Sequence, residues 1–505
     1  MRKLWIYIVI GFAISAVRGR AEDCSALAQL KLEETTITHT EVVKGTPATC
    51  RVSGVIRPTS DSEIRFEVWM PVTDWNGRFV GVGNGGFAGS IDHREMAAYA
   101  MRGYATAGSD AGHEAEGTDA TWAYGHPEKV KDFGWRSVHV TRERSAQIVK
   151  AYYGKPETKA YFDSCSDGGR EALMEAQRFP GDYDGILAGA PANQWSTLMA
   201  AGLATSQKLM VDPRAWIPPR KLPAIQRAVL AQCDALDGVK DGVVSDPANC
   251  HFNPDELLCK GADTSECLTR PQIASLKTIY AGPKNTVSEI IFPGMTMGDE
   301  TGWRPWITGD SPGASAGAQF VLNDFRYVVT DDPTWNMLTA NPEAMLTLSR
   351  EKTAADLDST DTNLGHFAAH GGKLILYHGW NDPAISPWST VAYYNEVRKR
   401  IGAAKEDSFM RLYMIPGMEH CIGGPGASVF GQLGTDTTAG PKHGIFDALE
   451  SWVERGVPNK EIIATKYSAE QKAEFTRPLC AYPKVAKYRG TGDTNDAANF
   501  ACVEP

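Results

Sequence analysis

The chain has 505 residues, 42% of them hydrophobic, and a formal net charge of −10. That length can bury a large core, and the acidic balance argues against nucleic acid or an anionic membrane as partner. Ten cysteines, an even number, would allow five disulfides if the chain is exported.

Residues 1–21 read as a secretory signal peptide. Met1-Arg2-Lys3 is followed by an apolar run from Leu4 to Val17, and small residues stand near Gly19 and Ala21. About 14 apolar residues are short for a bilayer span. No later run is longer and as apolar, so the mature chain is expected to be secreted or periplasmic, with no membrane span. The leader carries Arg2, Lys3, Arg18 and Arg20 and no acid, so its removal takes the charge from −10 to −14.

From 22 to 75 the pattern is that of short alternating strands, as in Ile64-Arg65-Phe66-Glu67-Val68-Trp69-Met70. The stretch from Arg78 to Gly89 is a strand running into a glycine-rich loop, Asn84-Gly85-Gly86-Phe87-Ala88-Gly89. Its spacing is not the dinucleotide fingerprint, and backbone N–H groups offered to an oxyanion fit it better. Residues 97–200 alternate helix and strand, with a helix through Ile148 to Tyr153. A strand through Ala160 to Asp163 then meets a small-residue turn, and a helix follows with Ala172, Leu173, Ala176 and Phe179 on one face, stopped by Pro180. Strand, tight turn, helix is the setting that exposes a nucleophile, which makes Ser166 the candidate. Its competitor is a serine that merely forms the turn. Asp184 to Ala192 reads as the next buried strand and its exit loop.

Between 201 and 365 the texture changes to Pro, Gly and Asp, with four cysteines and with Trp216, Trp303, Trp306 and Trp335, which reads as a large insertion. Alternation resumes with a strand at 372–379, a helix at 391–401 and a strand at 409–415. The fold class expected is α/β, a mostly parallel sheet covered by helices. Two loops follow the late strands, His378-Gly379-Trp380-Asn381-Asp382-Pro383 and Pro416-Gly417-Met418-Glu419-His420-Cys421. A serine needs a base, and an imidazole needs a carboxylate to fix its tautomer. Ser166, Asp382 and His420 supply these roles in the chain order of α/β-hydrolases. Short-range pairing of the cysteines gives Cys24–Cys50, Cys233–Cys250, Cys259–Cys267 and Cys480–Cys502 and leaves Cys165 with Cys421; sequence does not fix this connectivity. If Ser166 and His420 touch, their neighbours Cys165 and Cys421 come within the 7 Å or so that a disulfide requires.

Cys165-Ser166, Asp382 and His420-Cys421, with the loop 84–89, Glu175-Ala176-Gln177-Arg178-Phe179-Pro180, Ala188-Gly189-Ala190-Pro191, His378-Gly379-Trp380 and Pro416-Gly417-Met418, resemble the signature of the tannase and feruloyl esterase family. The resemblance spans nearly all of the mature chain. It implies an α/β-hydrolase catalytic domain (22–200 and 366–505) interrupted by a lid domain (201–365). It implies Ser166 as nucleophile, His420 as general base then acid, Asp382 as its orienting carboxylate, and an oxyanion hole from the N–H groups of Asp167 and Gly86. Ser164 departs from the glycine usual there and is expected to tighten the turn. In the insertion, three aspartates fall between Asp234 and Asp241. The residues alone leave an acidic solvated loop open, while the family implies structural Ca2+ held by the carboxylates of Asp234, Asp237 and Asp241 and the carbonyls of Val239 and Val243. The expected partner is a small aromatic ester, cleaved by a feruloyl esterase-like serine esterase. Alternatives are a tannase, a terephthalate-monoester hydrolase, a serine peptidase and a secreted calcium-binding protein without turnover.

Overall fold

The computed structural model describes residues 23–435 and 440–504; the leader predicted at 1–21 lies outside them. A nine-stranded sheet runs through the molecule: β1 (Thr35–Val43), β2 (Thr49–Ile56), β3 (Ile64–Pro71), β4 (Arg78–Val82), β5 (Ala105–Ser109), β6 (Lys159–Cys165), β7 (Gly185–Gly189), β8 (Lys373–Gly379) and β9 (Met410–Ile415). Their order is β1-β2-β3-β5-β4-β6-β7-β8-β9. β1, β2 and β3 pair antiparallel, as do β3 and β5, and every pair from β5 through β9 is parallel. The sequence patterns follow from this. β1 keeps most of its residues in water and alternates, while β5 and β7 are buried along their whole length and read as runs of small and aliphatic residues.

Period-two alternation splits the parallel strands between two apolar layers. Phe162, Leu374, Leu376 and Leu412 pack with Ile148 and Val149 of α1 (Ser137–Tyr153), Leu173 of α2 (Asp167–Arg178) and Val397 of α5 (Pro387–Ile401). Their neighbours Tyr161, Ile375, Tyr377 and Tyr413 pack on the opposite face against Phe446, Leu449 and Trp452 of α6 (Ile445–Arg455). This is the doubly covered sheet of an α/β-hydrolase.

The segment between β7 and β8 adds no strand to the central sheet among the described residues. It contains α3 (Trp195–Met210) and α4 (Ala316–Asn323), and the predicted change of texture at 201 falls inside α3. Trp195, Met199, Leu203, Val321 and Phe325 form a third apolar cluster with Phe87 and Phe133, which seats the insertion over the strand ends. Five disulfides join Cys24–Cys50, Cys165–Cys421, Cys233–Cys250, Cys259–Cys267 and Cys480–Cys502. No helix of the described residues is long and apolar enough to cross a membrane.

Candidate active site

β6 ends at Cys165 and α2 begins at Asp167, so Ser166 alone makes the turn, at φ 68° and ψ −121°. A non-glycine residue holds such angles only when its surroundings enforce them. The enforcement is close packing by glycine: a Cβ at Gly169 would strike the Gly189 carbonyl, and one at Gly168 would strike Ser164. Ser164 therefore fits where a glycine is usual because Gly168 and Gly83 leave space for its side chain.

The Ser166 Oγ lies 2.8 Å from His420 Nε2, and His420 Nδ1 lies 2.7 Å from Asp382 Oδ2. Nδ1 donates to the carboxylate, which leaves Nε2 to accept the serine hydroxyl. Asp382 is buried, and every hydrogen bond it makes favours its charge. Ala384 and Ile385 donate backbone N–H groups to Oδ1 at 2.8 and 2.9 Å, and His378 Nε2 stands 3.0 Å from Oδ2. That nitrogen also faces the Ile385 carbonyl, and His378 Nδ1 lies 2.8 Å from the Thr390 hydroxyl, which fixes the tautomer with Nε2 as donor. Burial alone would raise Asp382. The neighbouring His420 and the hydrogen bonds from His378 and His420 outweigh it and hold the carboxyl well below its usual range.

Two backbone positions border the same space. Gly86, with φ +63°, and Asp167 both line the cavity at Ser166. The adjacent donors are occupied: Phe87 N–H bonds Gly117 O at 2.7 Å, and Gly168 N–H bonds Asn84 O at 2.8 Å. Asn84 anchors the loop by donating its side-chain amide to the carbonyls of Ser90 and Ser109, both at 2.9 Å. Its own N–H goes to Glu171 Oε2 at 2.9 Å. Glu171 is buried on α2 without a cation, because Arg170 is committed to Asp167 Oδ1 and to the carbonyls of Phe133 and Gly134. Burial, with the Asp167 charge, pushes Glu171 up to about 8. Sequence reading missed Glu171, the support that His378 gives Asp382, and the anchoring side chain of Asn84. The one available signal was an acidic residue in the same turn of α2 as Ala172 and Leu173.

The insertion contributes Trp306, whose ring stands edge-on 5.0 Å from that of His420. The cavity above Ser166 has a volume of about 120 Å3 and is also lined by Trp195 and Phe320.

Elsewhere in the insertion, Asp234 Oδ1 accepts the N–H groups of Asp241 and Gly242, both at 3.1 Å, and Asp237 Oδ1 accepts that of Val239 at 2.9 Å. Asp241 Oδ2 pairs with Arg477 at 2.6 Å and Oδ1 accepts from Val243 N–H at 3.2 Å, and both valines are buried. Neither Asp234 nor Asp237 has an ion-pair partner among the described residues, and burial raises the Asp237 carboxyl. Asp234 Oδ2 also accepts the Gly242 N–H at 3.2 Å, so these carboxylates are already held by backbone N–H groups and by Arg477 and are not gathered around one point.

A family model for tannase and feruloyl esterase matches residues 50–503. An uncharacterized esterase of Xanthomonas campestris pv. campestris is 39% identical, over 95% of this chain and 91% of that one. A protein of Aspergillus flavus named "Probable feruloyl esterase B-1" is 32% identical, over 90% of this chain and 86% of its own length. The crystal structure of feruloyl esterase B from Aspergillus oryzae matches with a TM-score of 0.89 at 28% identity, covering 95% of this chain and 99% of that one.

Glu171 gives the fold a pH dependence. Unfolded, the group ionises near 4.3 or so; folded, near 8. Stability is therefore fully present below the unfolded value and is lost as pH rises through the folded one. The melting temperature is expected to fall by several degrees between about pH 5 and pH 8.5. Glu171→Gln, which keeps an acceptor for Asn84 N–H but cannot ionise, should flatten part of that fall. An unchanged slope in the variant would count against a neutral Glu171.

Proposed function

Because the chain belongs to the tannase and feruloyl esterase family, a family of carboxylic ester hydrolases, we propose that it cleaves esters of aromatic acids through an acyl-enzyme on Ser166. The observation that carries this reading is the continuous hydrogen-bonded chain from the Ser166 hydroxyl through His420 to a buried, ionised Asp382. As Ser166 Oγ attacks the ester carbonyl, His420 Nε2 takes its proton, and Asp382 stabilises the resulting imidazolium without being protonated. The carbonyl oxygen becomes an oxyanion and is met by the N–H groups of Gly86 and Asp167, the latter at the positive end of α2. His420 then returns its proton to the departing alcohol. A water, deprotonated by the same nitrogen, attacks the acyl-enzyme and releases the acid.

Residues 201–365 act as a lid that adds Trp306, Phe320 and Val321 to the apolar walls which receive the acyl ring. The loop 234–243 binds a structural Ca2+ through Asp234, Asp237 and Asp241 with the carbonyls of Val239 and Val243, holding the lid's fold away from the chemistry. The leader-like N-terminus and the fully paired cysteines support an exported enzyme.

Ser166→Ala is expected to lower kcat on an aromatic methyl ester by at least about 10^4-fold with little change in binding. Retained turnover would remove Ser166 from its role, and no turnover by the wild type would favour a binding protein built on this fold. Reduction of Cys165–Cys421 should separate the serine turn from the histidine loop, and an ångström of misplacement costs roughly 100-fold in rate. Full activity with all thiols titrating free would contradict that coupling. Chelation of Ca2+ should lower the melting temperature and abolish protease resistance of 201–365 before kcat changes on the remaining folded enzyme; a melting curve insensitive to chelator and to added Ca2+ would exclude the ion.

A further inference from the structure

Besides the Trp306 contact, the insertion touches the histidine loop through a pair of carboxyls. Asp299 opens the turn Glu300–Gly302, which leads into Arg304–Thr308 and so to Trp306. Glu419 immediately precedes His420. A Cβ at Gly302 would stand 2.8 Å from Glu419 Oε1 and 3.4 Å from Asp299 Oδ2, so both side chains crowd one glycine. Their carboxyls are hydrogen-bonded to each other. Asp299 is buried; its Oδ1 lies 3.1 Å from the Thr301 hydroxyl, while Oδ2 is reached by no N–H and by no hydroxyl among the described residues. Two carboxylates have no hydrogen between them, so this contact requires that the pair hold one proton. Lys466 faces both carboxyls while donating to the Gly424 carbonyl of the histidine loop. Asp382 faces Glu419 from the loop after β8. Glu300, which accepts from the Tyr280 hydroxyl at 2.6 Å and from Gly298 N–H at 2.9 Å, faces Asp299.

Resting on the esterase reading above, we infer that Glu419 and Asp299 are positioning residues: the proton their carboxyls share seats the turn leading to Trp306 against the histidine loop, and its loss drives the two apart. One ionised carboxylate is matched by Lys466. A second would be a like charge at contact in a largely buried site, and the pair would repel. The insertion side is braced, because Thr296 donates its hydroxyl to the Trp380 carbonyl and Thr301 N–H donates to Gln226 Oε1 at 3.2 Å. The repulsion therefore falls on the Glu419 side, one residue from His420. Burial, then the Asp299 charge and hydrogen bond, then the Asp382 charge push Glu419 up to about 7, against the opposing pull of Lys466. Unfolded, it ionises near 4.3 or so. The seating is thus fully present below the unfolded value and is lost as pH rises through about 7.

The test measures kcat/KM on methyl cinnamate, an aromatic ester with nothing to ionise, for the wild type, Glu419→Gln and Asp299→Asn. Either new amide can donate to the remaining carboxylate at any pH, so it stands in for the shared proton. Dividing variant by wild type at each pH cancels the titrations they have in common, those of His420, Glu171 and Glu300 among them. Each ratio is expected to rise about tenfold or more between about pH 6 and pH 8.5. Ratios that stay within twofold across that range would overturn the inference. Hydrogen exchange at the same two pH values, corrected for intrinsic rates, gives a readout that needs no turnover. Amides of 299–308 and 416–424 are expected to lose protection about tenfold in the wild type and to keep it in both variants. That local loss in a protein that turns over no ester would uphold the seating while removing the esterase reading. Its absence would overturn the seating, and a rising ratio would then report charge alone acting on His420.

Discussion

A negative charge inside a protein is stable only if other groups replace the water it has lost. Asp382 meets that condition with four donors: two backbone N–H groups from the turn that follows it and two imidazoles. The turn that supplies the N–H groups is possible because β8 ends at Gly379, where a side chain would collide with the carbonyls of Met418 and Glu419. His378 is immobile because Thr390 on α5 and the Ile385 carbonyl hold both its nitrogens. The carboxylate thereby fixes the plane and tautomer of His420, and His420 in turn fixes the direction in which Ser166 presents its hydroxyl. Loss of any one donor propagates to the serine through rigid parts.

The sheet brings these parts together by its topology. Parallel strands β6, β8 and β9 deliver the serine, the aspartate and the histidine to one edge, where loops are free to carry chemistry without disturbing the core. α2 starts at that edge and serves twice. Its first residue, Asp167, borders the reacting space, and Glu171 one turn on accepts the Asn84 N–H and ties the glycine-rich loop to the helix. Gly86 and Asp167, which both line the cavity at Ser166, are thus tied to one helix.

Much of this was readable from the chain because it is locally encoded. The turn at Ser166 needs small neighbours, Asp382 and His420 each follow a compact apolar run, and period-two alternation marks β3. What escaped reading depends on contacts distant in sequence. His378 was read as the start of a loop and as part of the family signature but not as a partner of Asp382, since that pairing is set by the path of the loop between them. Glu171 sits in a helix whose periodicity is satisfied by Ala172, Leu173 and Ala176, and only the approach of Asn84 gives its carboxyl a purpose. Trp306 could not be told from Trp216, Trp303 or Trp335 by composition. The boundary drawn at 201 follows a real change of composition, but α3 runs through it, because a helix reports its own periodicity and not the body against which it packs.

The bond between Cys165 and Cys421 links positions 256 residues apart. Everything from β7 to β9, with all of the insertion, therefore lies inside one covalent ring, and two further disulfides close smaller rings within it. The topology of this part is that of a cyclic polymer. A single backbone cut at any exposed loop of the ring, where chains are most easily nicked, opens the circle into a line but releases no fragment, and Ser166 and His420 stay joined by a bond that passes directly beside them. The polypeptide path between the nucleophile and its base can thus be broken while their connection persists.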